Sequence, residues 1–307
     1  MSRSNAYWLA LGTALISGFS NYLAKIAVTV VSDPVVFTLL KNAVVAVLLV
    51  GIIAFVSRFR EWRRLSRQQW VRLITIGVVG GSIPFILFFV GLTKTTALSG
   101  GLIHKTLFIW VALLAVPFLK ERITALQGAA FILLILGNFM LGGVKGFSWG
   151  TGELMILAAT LFWAVENIIA KKVLADLSSI TVAGARMAFG SVILAVVVLF
   201  QGNFDMIFTL TGTQWLWTLI PAALLLGYVT TWYTALKYAR ASIVASLLVP
   251  ATFITNILTQ VLQDKTMTPA QISSGVAICL GIGLLLWELF RQRSQSYQYA
   301  ADAHRTN

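Results

Sequence analysis

The 307 residues are 58% hydrophobic and only 11% charged, with a mean hydropathy of +0.87 and a formal net charge of +13. A soluble domain carries about a quarter charged residues, so this chain cannot cover itself with polar groups, and lipid is its expected solvent. The cations fall in short loops between apolar runs, which sets aside a nucleic-acid reading of the charge. Two histidines and one cysteine exclude an intramolecular disulfide and a His/Cys metal cluster.

Ten apolar segments of spanning length follow one another at 6–29, 34–57, 70–92, 97–119, 124–143, 150–172, 179–201, 214–237, 241–262 and 268–290. Backbone groups in lipid must be satisfied within their own segment, which predicts an all-α bundle. The first segment carries Asn21 and Lys25 and is longer than a signal-peptide core, so it is read as mature protein. Residues 58–69 form a basic link expected on the cytoplasmic face. Residues 202–213 form an outer loop, followed by Trp215 and Trp217 at interfacial depth. Cys279 lies in an apolar run and is read as a buried small residue. From Arg291 the chain is polar and is expected to fray.

Alternate loops differ sharply in charge. One set holds Arg3, Arg58, Arg60, Arg63, Arg64, Arg67, Lys120, Arg122, Lys171, Lys172, Lys237, Arg240 and the tail's arginines, whereas the other holds Lys94, Lys145 and Lys265. The excess marks the cytoplasmic side and puts both termini there, in a multi-pass protein of the inner (plasma) membrane.

The chain also repeats itself at a spacing of about 144 residues. Leu92 matches Leu236, Ala97 matches Ala241, Gln127 matches Gln271 and Gly137 matches Gly281. Glu121-Arg122 falls against Asp264-Lys265, and Asn21 to Lys25 falls against Asn167 to Lys171. Five segments per copy give the second copy the opposite polarity. The expected fold is therefore ten transmembrane helices in two inverted five-helix repeats, 1–145 and 146–290, around a central cavity, with a polar cytoplasmic tail, 291–307.

Charges inside these segments are the candidate site residues, because a central charge in a bilayer costs roughly 2.5–3.5 kcal/mol on insertion scales. Lys105, Lys41, Arg186 and Glu166 qualify. Lys105 shares a helix face with Gly101, Phe108 and Ala112 and is read either as a substrate contact or as a structural lysine paired with Glu166 or a carbonyl. Lys41 and Arg186 occupy matched positions toward opposite sides, suited to meeting an anion, with snorkelling as the plainer account. Glu166 is a candidate for carrying a coupling ion, or else neutralises Lys105 or Arg186. Trp163 is the aromatic residue assigned to the site. Asn21 and Asn167 are read as interhelical hydrogen-bonding groups, Pro250 as a bend, and His104 as a core histidine turned about 100° from Lys105. No Walker loop, GxSxG or HExxH motif is present, so neither catalytic residues, nor cofactor, nor metal are expected.

The order of these landmarks resembles the EamA-type transporters of the drug/metabolite transporter superfamily over nearly the whole chain. The resemblance rests on Ala14 to Asn21 in the first segment and Ala97-Leu98-Ser99 with Glu121-Arg122-Ile123-Thr124, Ala130 and Gly137 in the first copy. In the second copy it rests on Ala235 to Tyr238 with Ala241-Ser242, Pro250, Asp264-Lys265 with Thr268-Pro269, and Ser274 with Gly281. Thr106 stands where the family often has a proline, opposite Pro250. The resemblance implies a secondary transporter and an alternating-access mechanism. Its expected cargo is a small anionic or zwitterionic metabolite such as an amino acid, with export as the direction and proton coupling as an option. The protein would act as a monomer or homodimer without nucleic acid. A lipid-linked flippase, or a non-transporting membrane scaffold or assembly subunit, is the alternative.

Overall fold

Every apolar segment read from the sequence is mainly helical over its described residues, with breaks at Thr106 and at 247–249. The structure, a computed structural model, describes residues 1–55, 59–142 and 150–305. Arg58, Lys145 and the expected boundary at 145/146 lie outside them. In order come α1 (Arg3–Val30), α2 (Pro34–Phe55), the short α3 (Phe59–Arg63), α4 (Arg67–Ile76), a π turn (Gly77–Ser82) and α5 (Ile83–Thr93). Then follow α6 (Ala97–Lys105), α7 (Leu107–Leu119), α8 (Ala125–Gly142), α9 (Thr151–Val173), α10 (Ser179–Phe200) and a 3-10 turn (Phe204–Phe208). The chain ends with α11 (Gly212–Tyr238), α12 (Ala241–Ser246), α13 (Pro250–Leu262) and α14 (Pro269–Arg305).

Eight helical stretches are long and apolar enough to cross a membrane: Pro34–Phe55, Arg67–Thr93, Ala97–Leu119, Thr151–Val173, Ser179–Phe200, Gly212–Tyr238, Ala241–Leu262 and Pro269–Arg291. Two of the ten expected spans fall outside that set. The apolar helix at Ala125–Leu141 is shorter, and α1 is diluted by Ser, Gly, Asn, Tyr and Trp. Two further expectations are corrected. Helix α14 runs past Arg291 to Arg305, a stretch with no Gly or Pro to stop it, and Cys279 is exposed on its outer face.

The helices pack across the two sequence copies. Helix α1 lies along α11, α2 along α10, α5 along α9, and α8 along α14. Exchanging the copies maps this set of pairs onto itself. Close approaches are made by small residues: Ser274 Oγ donates to Gly137 O at 2.5 Å between α14 and α8.

The strongest mark of the repeat is a pair of lysine caps. Lys25 Nζ donates to Leu92 O at 2.6 Å and Thr95 O at 2.7 Å, beyond the C-terminal end of α5. Its counterpart Lys171 donates to Leu236 O at 2.6 Å, Ala239 O at 2.7 Å and Lys237 O at 3.2 Å, at the end of α11. Each ammonium satisfies carbonyls that the terminating helix leaves without an N–H. Lys171→Met is therefore expected to lower stability by about 1.5–3 kcal/mol, and Lys25→Met by less, since it loses two bonds rather than three. Thermal unfolding in detergent checks the order of the two.

Both copies also break their fourth helix. At Pro250 the missing N–H interrupts the ladder, and α12 ends at Ser246 before α13 begins. At the matched Thr106 the hydroxyl does the equivalent, donating to Ile103 O at 2.7 Å and parting α6 from α7. At one end of the bundle the copies are tied directly. Glu121, beyond α7, accepts from Ala241 N at 2.7 Å, Ser242 N at 3.2 Å and Ser242 Oγ at 2.5 Å.

Candidate functional site

The helices line a cavity of about 70 Å³, room for a few water molecules. Its wall takes Ser17, Ser20 and Asn21 from α1, Lys41 from α2, and Phe85, Phe88 and Phe89 from α5. His104 comes from α6, Trp163, Glu166 and Asn167 from α9, Arg186 from α10, and Tyr228 and Trp232 from α11. Both sequence copies contribute, and four of the five candidate residues meet here: Lys41, Trp163, Glu166 and Arg186.

Lys41 is 3% exposed. Its Nζ lies 4.4 Å from the Phe89 ring centroid and 4.6 Å from that of Phe85. Among the described residues it has no hydrogen-bond acceptor, so aromatic faces are its principal company. A snorkelling lysine would reach the interface; this one turns inward.

Arg186 donates from Nη2 to Gly80 O at 2.9 Å, and its guanidinium sits 5.2 Å from the Phe85 ring and 5.8 Å from the Tyr233 ring. Its Nε is buried without a hydrogen-bond partner. Glu166 accepts from the Tyr233 hydroxyl at 2.5 Å. A methyl built on Gly80 would lie 2.9 Å from Glu166 Cδ and 3.0 Å from Arg186 Nε, so the two charges are neighbours across that backbone. Trp163 also donates to Gly80 O, at 3.0 Å.

Lys105 is placed elsewhere. It is 1% exposed, its Nζ donates to Ser17 Oγ at 2.8 Å, and it does not line the cavity. His104 lines the cavity in its stead, its ring tilted at 4.8 Å from Trp163 and edge-on at 5.3 Å from Phe88. The expected roles of the two neighbours are thus exchanged, because the long lysine chain finds its acceptor on α1 while the flat imidazole fits the aromatic wall. Neither Glu166 nor a carbonyl holds Lys105.

The matched asparagines also diverge. Asn167 donates to Trp163 O at 2.8 Å and accepts from Trp232 Nε1 at 3.0 Å. Asn21 Nδ2 is buried without a partner. The residue matching Trp232 in the first copy is Phe88, which has no polar hydrogen to offer Asn21. Among the described residues the cavity wall therefore contains a buried amide donor and a buried guanidinium donor without partners, and one aromatic-boxed ammonium. Among the described residues no group of three His, Cys, Asp or Glu could hold a metal. The sequence reading missed the phenylalanine box and the Gly80 carbonyl. For Gly80 the signal was present, in the run GVVGGSIP ending at Pro84.

The EamA-like transporter family matches this chain twice, over residues 4–143 and 150–287. The chain belongs to the EamA-like transporter family. It is thus a multi-pass membrane protein of the drug/metabolite transporter superfamily. An uncharacterized transporter of Methanothermobacter thermautotrophicus is 22% identical over 236 residues, covering 73% of this chain and 66% of the relative. The uncharacterized transporter YyaM of Bacillus subtilis is 27% identical over 209 residues, covering 66% of this chain and 68% of the relative. The match thus spans about two thirds of the length of these relatives. A crystal structure 18% identical in sequence superposes with a TM-score of 0.73, covering 92% of this chain and 96% of that one. At that identity it supports the EamA-type fold alone.

Proposed function

We propose that this EamA-family chain is a secondary transporter that carries small anionic or zwitterionic metabolites, such as amino acids, through the cavity by alternating access. In this reading two inverted halves, 1–145 and 146–290, rock about the site with both termini cytoplasmic, as the loop charges and the paired lysine caps support. Export is the direction that the family resemblance suggests.

The observation that carries the reading is Lys41. The cavity holds two cations and one carboxylate, and the carboxylate already accepts a hydrogen bond from Tyr233. Among the described residues Lys41 is left as a charge with no paired counter-ion and no hydrogen bond, which a substrate carboxylate would supply. Asn21 and Arg186 line the same cavity, and Trp163 with Phe88 offers an apolar wall for the rest of the molecule. Glu166 then serves as the counter-charge of Arg186 rather than as the coupling group, and Lys105 acts behind the wall by holding Ser17.

The test is a thermal-shift panel on detergent-purified wild type and Lys41→Gln with benzoate, phenylalanine, inorganic phosphate and glucose. Benzoate or phenylalanine should raise the melting temperature of wild type and leave the still-folded variant unmoved. Equal stabilisation of both proteins by glucose, with none by the anions, would remove the anion reading.

A further inference from the structure

The third span contains a π turn, Gly77–Ser82, between α4 and α5. Single π turns are often found at functional sites. Here the chemistry of the turn can be followed atom by atom. In an α-helix the carbonyl of Gly80 would accept from the N–H of residue 84. That residue is Pro84, which has none. The Gly80 carbonyl is instead the acceptor for two side chains of the second sequence copy, Arg186 Nη2 at 2.9 Å and Trp163 Nε1 at 3.0 Å. At position 80 the site's carboxylate and guanidinium both approach the backbone, because a Cβ there would press on Glu166 Cγ and lie 3.0 Å from Arg186 Nε.

We propose that Gly80 and Pro84 act together as a positioning element for the cavity. The proline frees the carbonyl, the absence of a side chain lets Glu166 and Arg186 close over it, and the freed oxygen sets where the guanidinium and the Trp163 indole lie. With Nη2 held by Gly80, the guanidinium is fixed at the cavity wall. This assignment rests on the proposed function only for its consequence, ligand affinity; the geometry it claims for Trp163 stands independently.

Two substitutions probe it from opposite sides. Pro84→Ala returns an N–H four residues after Gly80, which competes for the carbonyl without adding bulk. Gly80→Ala adds a methyl against Glu166, and Glu166→Asp in the same chain shortens the carboxylate to make room. The protein is prepared with 5-fluorotryptophan, and the Trp163 fluorine resonance is assigned from Trp163→Phe. Benzoate affinity and melting temperature are measured on the same samples.

The Trp163 resonance should move in both Pro84→Ala and Gly80→Ala and return toward the wild-type position in the Gly80→Ala/Glu166→Asp double variant. Pro84→Ala should bind benzoate at least about tenfold more weakly, the order lost with one hydrogen bond to a charged group, while melting no lower than wild type. An unmoved Trp163 resonance in Pro84→Ala overturns the proposal, as does a resonance that moves only with a fallen melting temperature. If wild type binds no benzoate, phenylalanine or phosphate, the anion reading fails, and the resonance and its rescue still decide the positioning role.

Discussion

Arg186→Gln is expected to lower the stability of the folded protein by about 3 kcal/mol, the order for leaving a neighbouring buried charge uncompensated, and to abolish stabilisation by benzoate. Arg186 is 5% exposed and Glu166 is 1% exposed. Without the guanidinium, Glu166 keeps only the Tyr233 hydroxyl. A buried carboxylate so placed is uncompensated. The companion variant Glu166→Gln should also destabilise, by less, because the guanidinium retains Gly80 O and the faces of Phe85 and Tyr233. In the double variant both charges are gone, and stability should recover most of the loss while anion binding stays absent. The non-additivity of this cycle is the measurement. If the two single losses simply add, the residues do not act as a pair, and Glu166 becomes free to serve as the coupling group. If Arg186→Gln binds benzoate as wild type does, the guanidinium is no part of the binding site.

Much of the fold was legible because its cause is local. An apolar run in lipid has to satisfy its own backbone, so each of the expected segments is mainly helical. The repeat was legible because matched positions keep matched chemistry, down to Lys25 and Lys171 capping equivalent carbonyls. That Lys41, Glu166 and Arg186 lie within the helices followed from their distance along them, but Lys41 and Arg186, read toward opposite sides, line one cavity. What the sequence could not give was the partner of each side chain. Lys105 and His104 are adjacent, and only the neighbour on α1 decides which of them turns to the cavity. Asn21 and Asn167 are equivalent by the repeat, yet a phenylalanine at position 88 leaves one unpaired while Trp232 satisfies the other. Pro84 announces a freed carbonyl at Gly80, but its acceptance from Trp163 and Arg186 joins residues 83 and 106 positions apart. No period or propensity reports such a meeting.

Gly190→Ala is expected to destabilise the protein by about 3 kcal/mol or more, at or beyond the usual range for overpacking, although it adds a single methyl. The methyl would lie 2.6 Å from Gly81 C and 2.8 Å from Gly81 Cα. Backbone cannot rotate aside as a side chain can, so α10 and the π turn must separate. Gly283→Ala is the control: nothing lies within 4 Å of its Cβ position, and the better helix former should leave stability unchanged or raise it by up to about 1 kcal/mol. The consequence at the cavity follows from where Gly190 sits. Arg186 is one turn earlier on the same helix, and Gly80 is the residue before Gly81. A separation of the two backbones lengthens the bond from Arg186 Nη2 to Gly80 O, which is 2.9 Å in the intact packing. Benzoate affinity should therefore fall in Gly190→Ala even where enough folded protein survives to measure it, and the Trp163 fluorine resonance should move with it. A variant that loses stability but keeps the Trp163 resonance and the affinity would mean that the site tolerates a wider crossing, and that the glycine contact serves folding alone.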